Sequence, residues 1–467
     1  MNDEPPPTSR LRLREPLRRV IHEVLSASNR LRLPGPSVLP VAGAVVGLYS
    51  GLAAGIFANL IGVVNALTFT VAFASRAPRP PGSSTLITLW EALAQAHWHA
   101  EYAIIGAPLA FGAVLLARVI EPGGPRDEVK RRLRLLALLV LGALALYYPL
   151  VALTALNRAF GHAEHLAETL PHLPWWIYLV APPLGGMVVG RLLRDYPDTH
   201  GHGVPEVVRA VKGNQDLPGQ RGLLKLVASA ITIGSGGSGG REGPIVYGGA
   251  AFASTVGRTL GFSRRELAIL LACGAGAGIS ASFNAPIAGA MFAMEIILRE
   301  FELRVFSPII LASVAGTLVS RGTLEAAPML HRLGYKLVSG WEVLCYAGLG
   351  LLCGLLAYAF VRLLHHTEDF FGGRVAGGLS AWLGRRALWQ RAGIGGLCAG
   401  VLLFLSPTVW GSGHDYINLA AIGHLSFAFL VTASLVKLVA TAITLGSGGS
   451  GGTFFPSAVM GTMLGGA

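Results

Sequence analysis

The stretch KLVASAITIGSGGSGG at residues 225–240 recurs as KLVATAITLGSGGSGG at residues 437–452. The two copies are identical at 14 of 16 positions and lie 212 residues apart. Each copy is an apolar run, typical of a helix, that leads into glycines and is followed by a proline and a second apolar run. Because glycine permits a sharp turn and proline fits the first position of a helix, the pattern predicts two broken helices. Each glycine turn is then expected to present bare backbone N–H groups, at the positive end of a helix, to an anion.

The composition is that of a membrane protein. Of the 467 residues, 52% are hydrophobic and 13% are charged, and the mean hydropathy is +0.56. A soluble domain of ordinary composition has about a quarter of its residues charged. Uncharged apolar runs of about 20 residues, the length that crosses a bilayer, recur along the chain. The sequence therefore predicts an all-α polytopic protein embedded in a lipid bilayer.

The net charge of +12 raises the alternative of a nucleic-acid-binding protein. Lysine and arginine collect in loops and tails, however, as they do in the cytoplasmic segments of membrane proteins. Residues 1–36 contain seven arginines against four acidic residues, and they lack the apolar core of a signal peptide. We therefore expect no nucleic-acid partner, a cytoplasmic N-terminus and a location in the inner or plasma membrane.

The chain divides into two halves around the repeat. We expect an Arg-rich segment at 1–36, a first transmembrane half at 37–319 and a second at 320–467. The first half carries an inserted pair of apolar segments at about 76–173. The last residues lie inside an apolar run, so the second half is expected to be truncated.

A second landmark aligns the two halves. Gly411-Ser412-Gly413 follows Gly201-His202-Gly203 at an offset of 210 residues, close to the offset of the repeat. Interrupted apolar segments at matching places in two halves are typical of transport proteins, which bind their substrate near the bilayer midplane in such segments. The sequence therefore predicts a transport protein built from a broken-helix repeat.

Nucleotide, metal and disulfide interpretations fit the sequence less well. Gly234–Gly239 matches G-x-G-x-x-G, but a dinucleotide site needs a preceding strand and an acidic residue about 20 positions on, and neither is present. His162 and His165 share a helical spacing without a third ligand nearby, so we predict no metal site. The four cysteines lie in apolar surroundings and indicate packing rather than disulfides: Cys273, Cys345, Cys353 and Cys398. No cofactor is expected.

Two carboxylates lie within apolar segments, where an ionisable group is costly and is a functional candidate. Glu242 is either a helix-capping carboxylate, worth about 1 kcal/mol, or a gate that competes with an external anion for one pocket. Glu295 either pairs with Arg299 at i+4 or belongs to a proton path. Arg241 is expected to balance charge near the mouth of the pocket rather than bind the ion, because conduction needs weak binding.

These residues resemble the CLC family of chloride channels and chloride/proton exchangers. Three segments match its motifs in family order: Gly201-His202-Gly203-Val204-Pro205 for G-S-G-I-P, Gly240-Arg241-Glu242-Gly243-Pro244 for G-[KR]-E-G-P, and Gly452-Thr453-Phe454-Phe455-Pro456 for G-x-F-x-P. The resemblance covers about 38–75 and 174–467. It implies a homodimer with one pore per subunit, each subunit built from two inverted halves with re-entrant helices.

The resemblance also implies anion sites at the helix N-termini that follow the three motifs. It places Glu242 at the gating-glutamate position, and Thr453 and Phe454 where backbone N–H groups hold the central anion. The other motif residues are candidate anion-binding residues: Gly201, His202, Gly203, Val204, Pro205, Arg241, Gly243, Pro244, Phe455 and Pro456.

Two departures from the family pattern bear on the mechanism. His202 replaces the serine that contacts chloride in the family. Ile296 occupies the position of the exchangers' inner proton glutamate, with Glu295 one residue before it. The sequence therefore favours passive chloride conduction through a pore gated by Glu242, with a chloride/proton antiporter as the alternative. A membrane-embedded enzyme that uses Glu242 and His202 as an acid–base pair lacks a supporting nucleophile–base spacing.

Overall fold

The computed structural model describes residues 38–74, 170–196, 199–213, 215–324, 339–423 and 425–467. The expected Arg-rich segment and almost all of the inserted apolar pair lie outside these residues, together with His162 and His165. Within the described residues the backbone is helical, and extended pairing is limited to two isolated bridges.

The helices fall into two series that follow the two halves of the sequence. The first series comprises α1 (Val38–Ala74), α2 (Trp175–Leu192), α3 (Val204–Lys212), α4 (Gly219–Gly234), α5 (Glu242–Thr259), α6 (Arg264–Phe283), α7 (Pro286–Phe292, continued by a π-helical turn at Ala293–Leu298) and α8 (Leu303–Leu324). The second comprises α9 (Glu342–Phe371), α10 (Gly378–Gly384), α11 (Leu388–Leu403), α12 (Asp415–Ile422), α13 (Phe427–Gly446) and α14 (Phe454–Gly466). Helices α4 and α5 in the first series thus correspond to α13 and α14 in the second.

Several of these helices match the thickness of a bilayer. Four segments of the described chain are long and apolar enough to cross it: Leu39–Phe69, Arg264–Phe283, Glu342–Phe371 and Phe427–Gly446. The helices around the glycine turns are shorter, since α3 has 9 residues and α14 has 13. This mixture of full spans and short interrupted helices agrees with the sequence prediction of a polytopic protein with broken helices.

Small residues allow the helices of the first half to pack closely. Gly43, Gly47 and Gly51 recur every fourth residue along one face of α1, which packs against α8. A Cβ atom built on Gly47 would lie 2.2 Å from the carbonyl oxygen of Ala312. Such small-residue stripes bring helix backbones together within a membrane, where water supplies no driving force for association. Helix α6 packs beside both helices and also contacts α5, so this close-packed group supports α5.

Candidate anion site

The two glycine turns of the repeat meet in the interior. The backbone N–H of Gly240 donates to the carbonyl of Gly452 (2.7 Å), and the N–H of Gly452 donates back to the carbonyl of Gly240 (2.6 Å). The N–H of Gly239 also donates to the carbonyl of Gly411 (3.2 Å). Residues 212 positions apart in sequence therefore form one junction, from which α5 and α14 both begin.

Two pairs of hydroxyl groups also join the repeat copies, and an internal two-fold symmetry relates one pair to the other. Ser229 and Ser450 share a hydrogen bond of 2.8 Å between their hydroxyls, and Ser238 and Thr441 share another of 2.8 Å. A shift of 212 residues converts Ser229 into Thr441 and Ser238 into Ser450, so the two bonds are the same contact made twice. The near-identity of the repeat copies thus corresponds to a matched internal packing.

The glycine turns use much of their own backbone in this junction, which differs from the prediction of bare N–H groups. The N–H of Ser238 donates to the Thr444 hydroxyl (3.2 Å), and the N–H of Ser450 donates to the Thr232 hydroxyl (3.1 Å). Since the first four N–H groups of a helix lack intrahelical partners, the donors available to a ligand lie just beyond the glycines, in the first turns of α5 and α14.

The third motif joins the same point. A Cβ atom built on Gly203 would lie 2.1 Å from the carbonyl oxygen of Gly243, and one built on Gly243 would lie 3.0 Å from the Cα of Gly452. The ring of Pro456 lies 3.1 Å from a Cβ built on Gly240. The structure therefore brings together the three motifs that the sequence placed at residues 201–205, 240–244 and 452–456.

The prolines lie within the first turns rather than at the first positions. Val204 begins α3, so Pro205 is its second residue, whereas Pro244 and Pro456 are the third residues of α5 and α14. The prediction of a proline at the first position is therefore wrong in detail. The backbone accepts proline at these positions because N–H groups in the first turn have no intrahelical acceptor.

Glu242 is the first residue of α5, and its side chain is 1% exposed. The backbone N–H groups of Arg241, Glu242 itself and Phe455 lie near the carboxylate. None of them meets it with hydrogen-bond geometry, so both oxygens are buried without a hydrogen bond among the described residues. The closest cation is Arg241, whose Nε lies 3.8 Å from Oε1. The carboxylate therefore occupies the positive end of α5 and faces the positive end of α14.

Arg241 itself is anchored to a different helix. Its guanidinium donates to the carbonyl of Ser282 (3.3 Å), near the C-terminus of α6. The guanidinium therefore lies beside the carboxylate, and the charge-balancing role of Arg241 stays a prediction.

The corresponding helix N-terminus of the second half carries aromatic residues. Thr453 precedes α14, and Phe454, its first residue, is 56% exposed. Phe455 is buried, and its ring stacks on that of Phe283 with centroids 5.4 Å apart. Phe283 also contacts the Phe454 ring edge-to-face. The aromatic rings fix the start of α14 against the end of α6.

Two buried lysines, which the sequence analysis missed, hold the loops that precede α3 and α12. Lys225 donates to the carbonyls of Thr199 (2.9 Å) and Gly201 (2.6 Å). Lys437 donates to the carbonyls of Thr408 (2.7 Å), Val409 (3.4 Å) and Gly411 (2.8 Å). Both side chains are 0% exposed. The signal was present, because each repeat copy begins with a charged residue in an apolar run.

The sequence also gave no sign of the partner of His202. The Nε2 atom of His202 lies 3.2 Å from Oε1 of Glu368, in the last turns of α9. The backbone of the next motif residue also has a partner, since the N–H of Gly203 donates to the carboxylate of Glu206 (2.7 Å). In the loop before α3, one carboxylate therefore contacts the backbone and another contacts the histidine side chain.

Glu295 lies apart from this junction. It falls in the π-helical turn after α7, and its side chain is exposed. The predicted pair with Arg299 is not among the ion pairs of the described residues, and Arg299 lies beyond the helix with a φ of 61°. The i+4 geometry needed for that pair is lost where the helix ends, so this part of the prediction is wrong. The candidate proton path through Glu295 stays a prediction.

Fold and site together define a polytopic helical membrane protein with a broken-helix repeat around one interior point. A model of the family described as voltage gated chloride channel matches residues 185–467. The chain belongs to this CLC family of chloride channels and transporters and is an integral membrane protein. This confirms the family, the fold class and the transport class that the sequence predicted.

Individual relatives support the same assignment. The putative chloride channel protein ClcB-like of Ralstonia nicotianae is 33% identical over 317 residues, which are 65% of this chain and 70% of that protein. The crystal structure of a slow cyanobacterial Cl⁻/H⁺ antiporter is similar at a TM-score of 0.55 and 26% identity, covering 63% of this chain and 69% of that one. A CLC-type fluoride/proton antiporter is similar at a TM-score of 0.54 and 25% identity, covering 66% and 73%.

Proposed function

We propose that this protein conducts chloride passively through a pore gated by Glu242. The observation that carries the proposal is the buried carboxylate without a hydrogen bond at the N-termini of α5 and α14. A helix N-terminus attracts any anion, so the carboxylate and a chloride ion compete for the same positive potential. Protonation of Glu242, or displacement by chloride, removes the competitor and opens the path.

Backbone dipoles suit conduction because they bind an anion weakly. An ion that conducts must bind well enough to enter and weakly enough to leave. The N–H groups of Thr453 and Phe454 supply such a field at the start of α14, and the loop at residues 201–205 lies against the same junction. We propose that these groups form the central anion site.

A chloride/proton antiporter is the second candidate. Two similar solved structures are described as proton-coupled antiporters, which favours this alternative. Against it stands Ile296 at the position of the inner proton glutamate. In an antiporter, Glu295, which directly precedes Ile296 and is exposed, would have to supply the proton path in place of that glutamate.

The remaining features of the proposal concern assembly and location. We propose a homodimer with one pore per subunit, located in the inner or plasma membrane with the N-terminus in the cytoplasm. The small anion is the transported substrate, and no enzymatic step, cofactor or nucleic-acid partner belongs to the proposal.

The proposal is tested by chloride efflux from liposomes that contain the purified protein. We expect Glu242→Gln to raise the efflux several-fold at neutral pH and to abolish its pH dependence, because the amide keeps the shape of the side chain without its charge. Glu300→Gln, at an exposed carboxylate, is the matched control and is expected to behave as the unmodified protein. Unchanged efflux and an unchanged pH response in Glu242→Gln would contradict the gate.

The same liposomes separate the two candidates. A channel lets chloride run down its gradient without moving protons. If a chloride gradient drives protons uphill in the unmodified protein, the passive mechanism is wrong and the antiporter is supported.

A further inference from the structure

The pair formed by His202 and Glu368 has a feature that the gate does not use. The Nε2 atom of His202 contacts the Glu368 carboxylate at 3.2 Å, and the His202 side chain is 20% exposed. The other ring nitrogen, Nδ1, is buried and has no hydrogen bond to any described residue. This leaves a buried polar atom in the motif loop without a protein partner, and a bound ion is one explanation for such an atom.

The contact with Glu368 fixes where the ring carries its proton. An ionised carboxylate only accepts hydrogen bonds, so Nε2 of His202 must be the donor. In the neutral ring Nδ1 then has only a lone pair, which repels an anion. In the doubly protonated ring Nδ1 carries an N–H and can donate to an anion. The carboxylate thus makes the anion-binding form of His202 the cationic form.

We propose that His202 and Glu368 form a proton-linked anion site, in which binding of a small anion at Nδ1 is accompanied by uptake of one proton by the imidazole. The inference rests on the proposed function, since it takes the motif loop to bind the transported anion. His202 is the residue that contacts the ion, and Glu368 is a positioning residue that selects the tautomer. Because linkage is reciprocal, anion binding promotes protonation of His202 and protonation tightens anion binding.

Other charged groups lie near the pair and must be separated from it. His365, on α9, and Arg374, just after it, interact electrostatically with Glu368. The nearby groups on the remaining packed elements are Glu206 on α3, Lys225 on α4, and Arg241 and Glu242 at the start of α5. His365 and Glu242 also carry ionisable groups, so both need controls. Glu242→Gln serves as the background for the experiment.

The experiment is calorimetric titration of sodium chloride into the purified full chain with Glu242→Gln, at pH values from about 5.5 to 8, where a histidine titrates. Measurements in two buffers of different ionisation enthalpy count the protons taken up. We expect about one proton per chloride on the alkaline side of this range, and an affinity that falls there by up to about tenfold per pH unit, the limit for one linked proton. A pH-independent affinity without proton uptake would overturn the inference.

Glu368→Gln, added to the same background, provides the sharper test. An amide can donate to Nε2 through its NH₂ group, so the neutral ring can keep its proton on Nδ1 and still bind the anion. We expect chloride binding to persist at high pH with proton uptake reduced to near zero. His202→Ser, which donates without titrating, is expected to show the same loss of proton uptake. His365→Gln is the control and should keep it.

The outcomes distinguish this inference from the proposed function. Proton uptake that persists in both Glu368→Gln and His202→Ser overturns the inference while chloride conduction stands. If the Glu242→Gln protein binds no chloride at any pH and its efflux equals that of empty liposomes, the proposed function fails first.

Discussion

The two halves of the molecule share a scaffold but differ in the residues that face the site. A shift of 212 residues converts Arg241-Glu242-Gly243 into Thr453-Phe454-Phe455. Both tripeptides follow the paired glycines Gly240 and Gly452 and begin a helix there. One half therefore places charged side chains at the helix N-terminus, and the other places two aromatic rings. The same backbone arrangement thus occurs twice with different side chains.

The loops before α3 and α12 repeat the contrast. Lys225 and Lys437 hold both loops by their carbonyl groups. At the central position of the loop, however, the first half has His202 and the second has Ser412, which contacts His414 at 2.9 Å. The repeat thus specifies the geometry of the backbone, whereas the side chains at the site differ between the two copies.

The largest effect is expected from Gly243→Ala. A Cβ there would lie 1.9 Å from the carbonyl oxygen of His202, and backbone atoms cannot move aside as a side chain can. We expect the variant to lose chloride efflux and about 3 kcal/mol of stability, the upper range for overpacking. Efflux from liposomes and unfolding in detergent measure both.

Gly239→Ala is the matched control for this variant. The nearest atom to its Cβ is 3.5 Å away, an ordinary contact, so stability and efflux should change little. In the second half the position equivalent to Gly243 is Phe455, which is buried. The backbone at this position therefore accepts a side chain, and the clash of Gly243→Ala comes from the neighbouring carbonyl. Normal efflux from Gly243→Ala would show that the close approach of α3 and α5 is dispensable.

The second prediction compares the two buried lysines. Lys437→Met leaves the carbonyls of Thr408 and Val409 without a donor, since that of Gly411 still accepts from the N–H of Gly239, and Lys225→Met also leaves two carbonyls without one. We expect a loss of about 2 kcal/mol for each variant, because an unsatisfied buried carbonyl costs at least about 1 kcal/mol. Unfolding of the purified variants in detergent gives the values. Lys212→Met, at an exposed lysine, should be neutral, and equal losses for Lys212 and Lys437 would refute the proposed role.

The repeat explains why so much of the site was predictable from sequence. Identity at 14 of 16 positions indicated two equivalent elements, and glycine and proline marked where each is broken. The motifs at 201–205, 240–244 and 452–456 then lay together as expected. Glu242 was found because a carboxylate in an apolar segment is costly and therefore conspicuous.

Other features depend on tertiary packing that no local pattern records. Glu368 and His202 are 166 residues apart, and their contact exists only because α9 ends beside the loop before α3. An ion pair with Arg299 was one of the two interpretations of Glu295, yet the helix ends between these residues in a π-helical turn. The N–H groups of Gly239, Gly240 and Gly452, which the sequence suggested were bare, donate hydrogen bonds within the junction. The sequence of either copy alone does not reveal this pairing, because it forms between the two copies.

The smallest and most diagnostic prediction concerns the two hydroxyl pairs, Ser229–Ser450 and Ser238–Thr441. Each bond is 2.8 Å long and buried, so each is expected to contribute about 1 kcal/mol. Double-mutant cycles with alanine at the serines and valine at the threonine measure the coupling free energy of each pair. Because the two contacts are equivalent under the internal symmetry, we expect the two coupling energies to agree within about 0.5 kcal/mol. A pair that couples strongly in one half and not in the other would show that the symmetry of the backbone does not extend to its energetics.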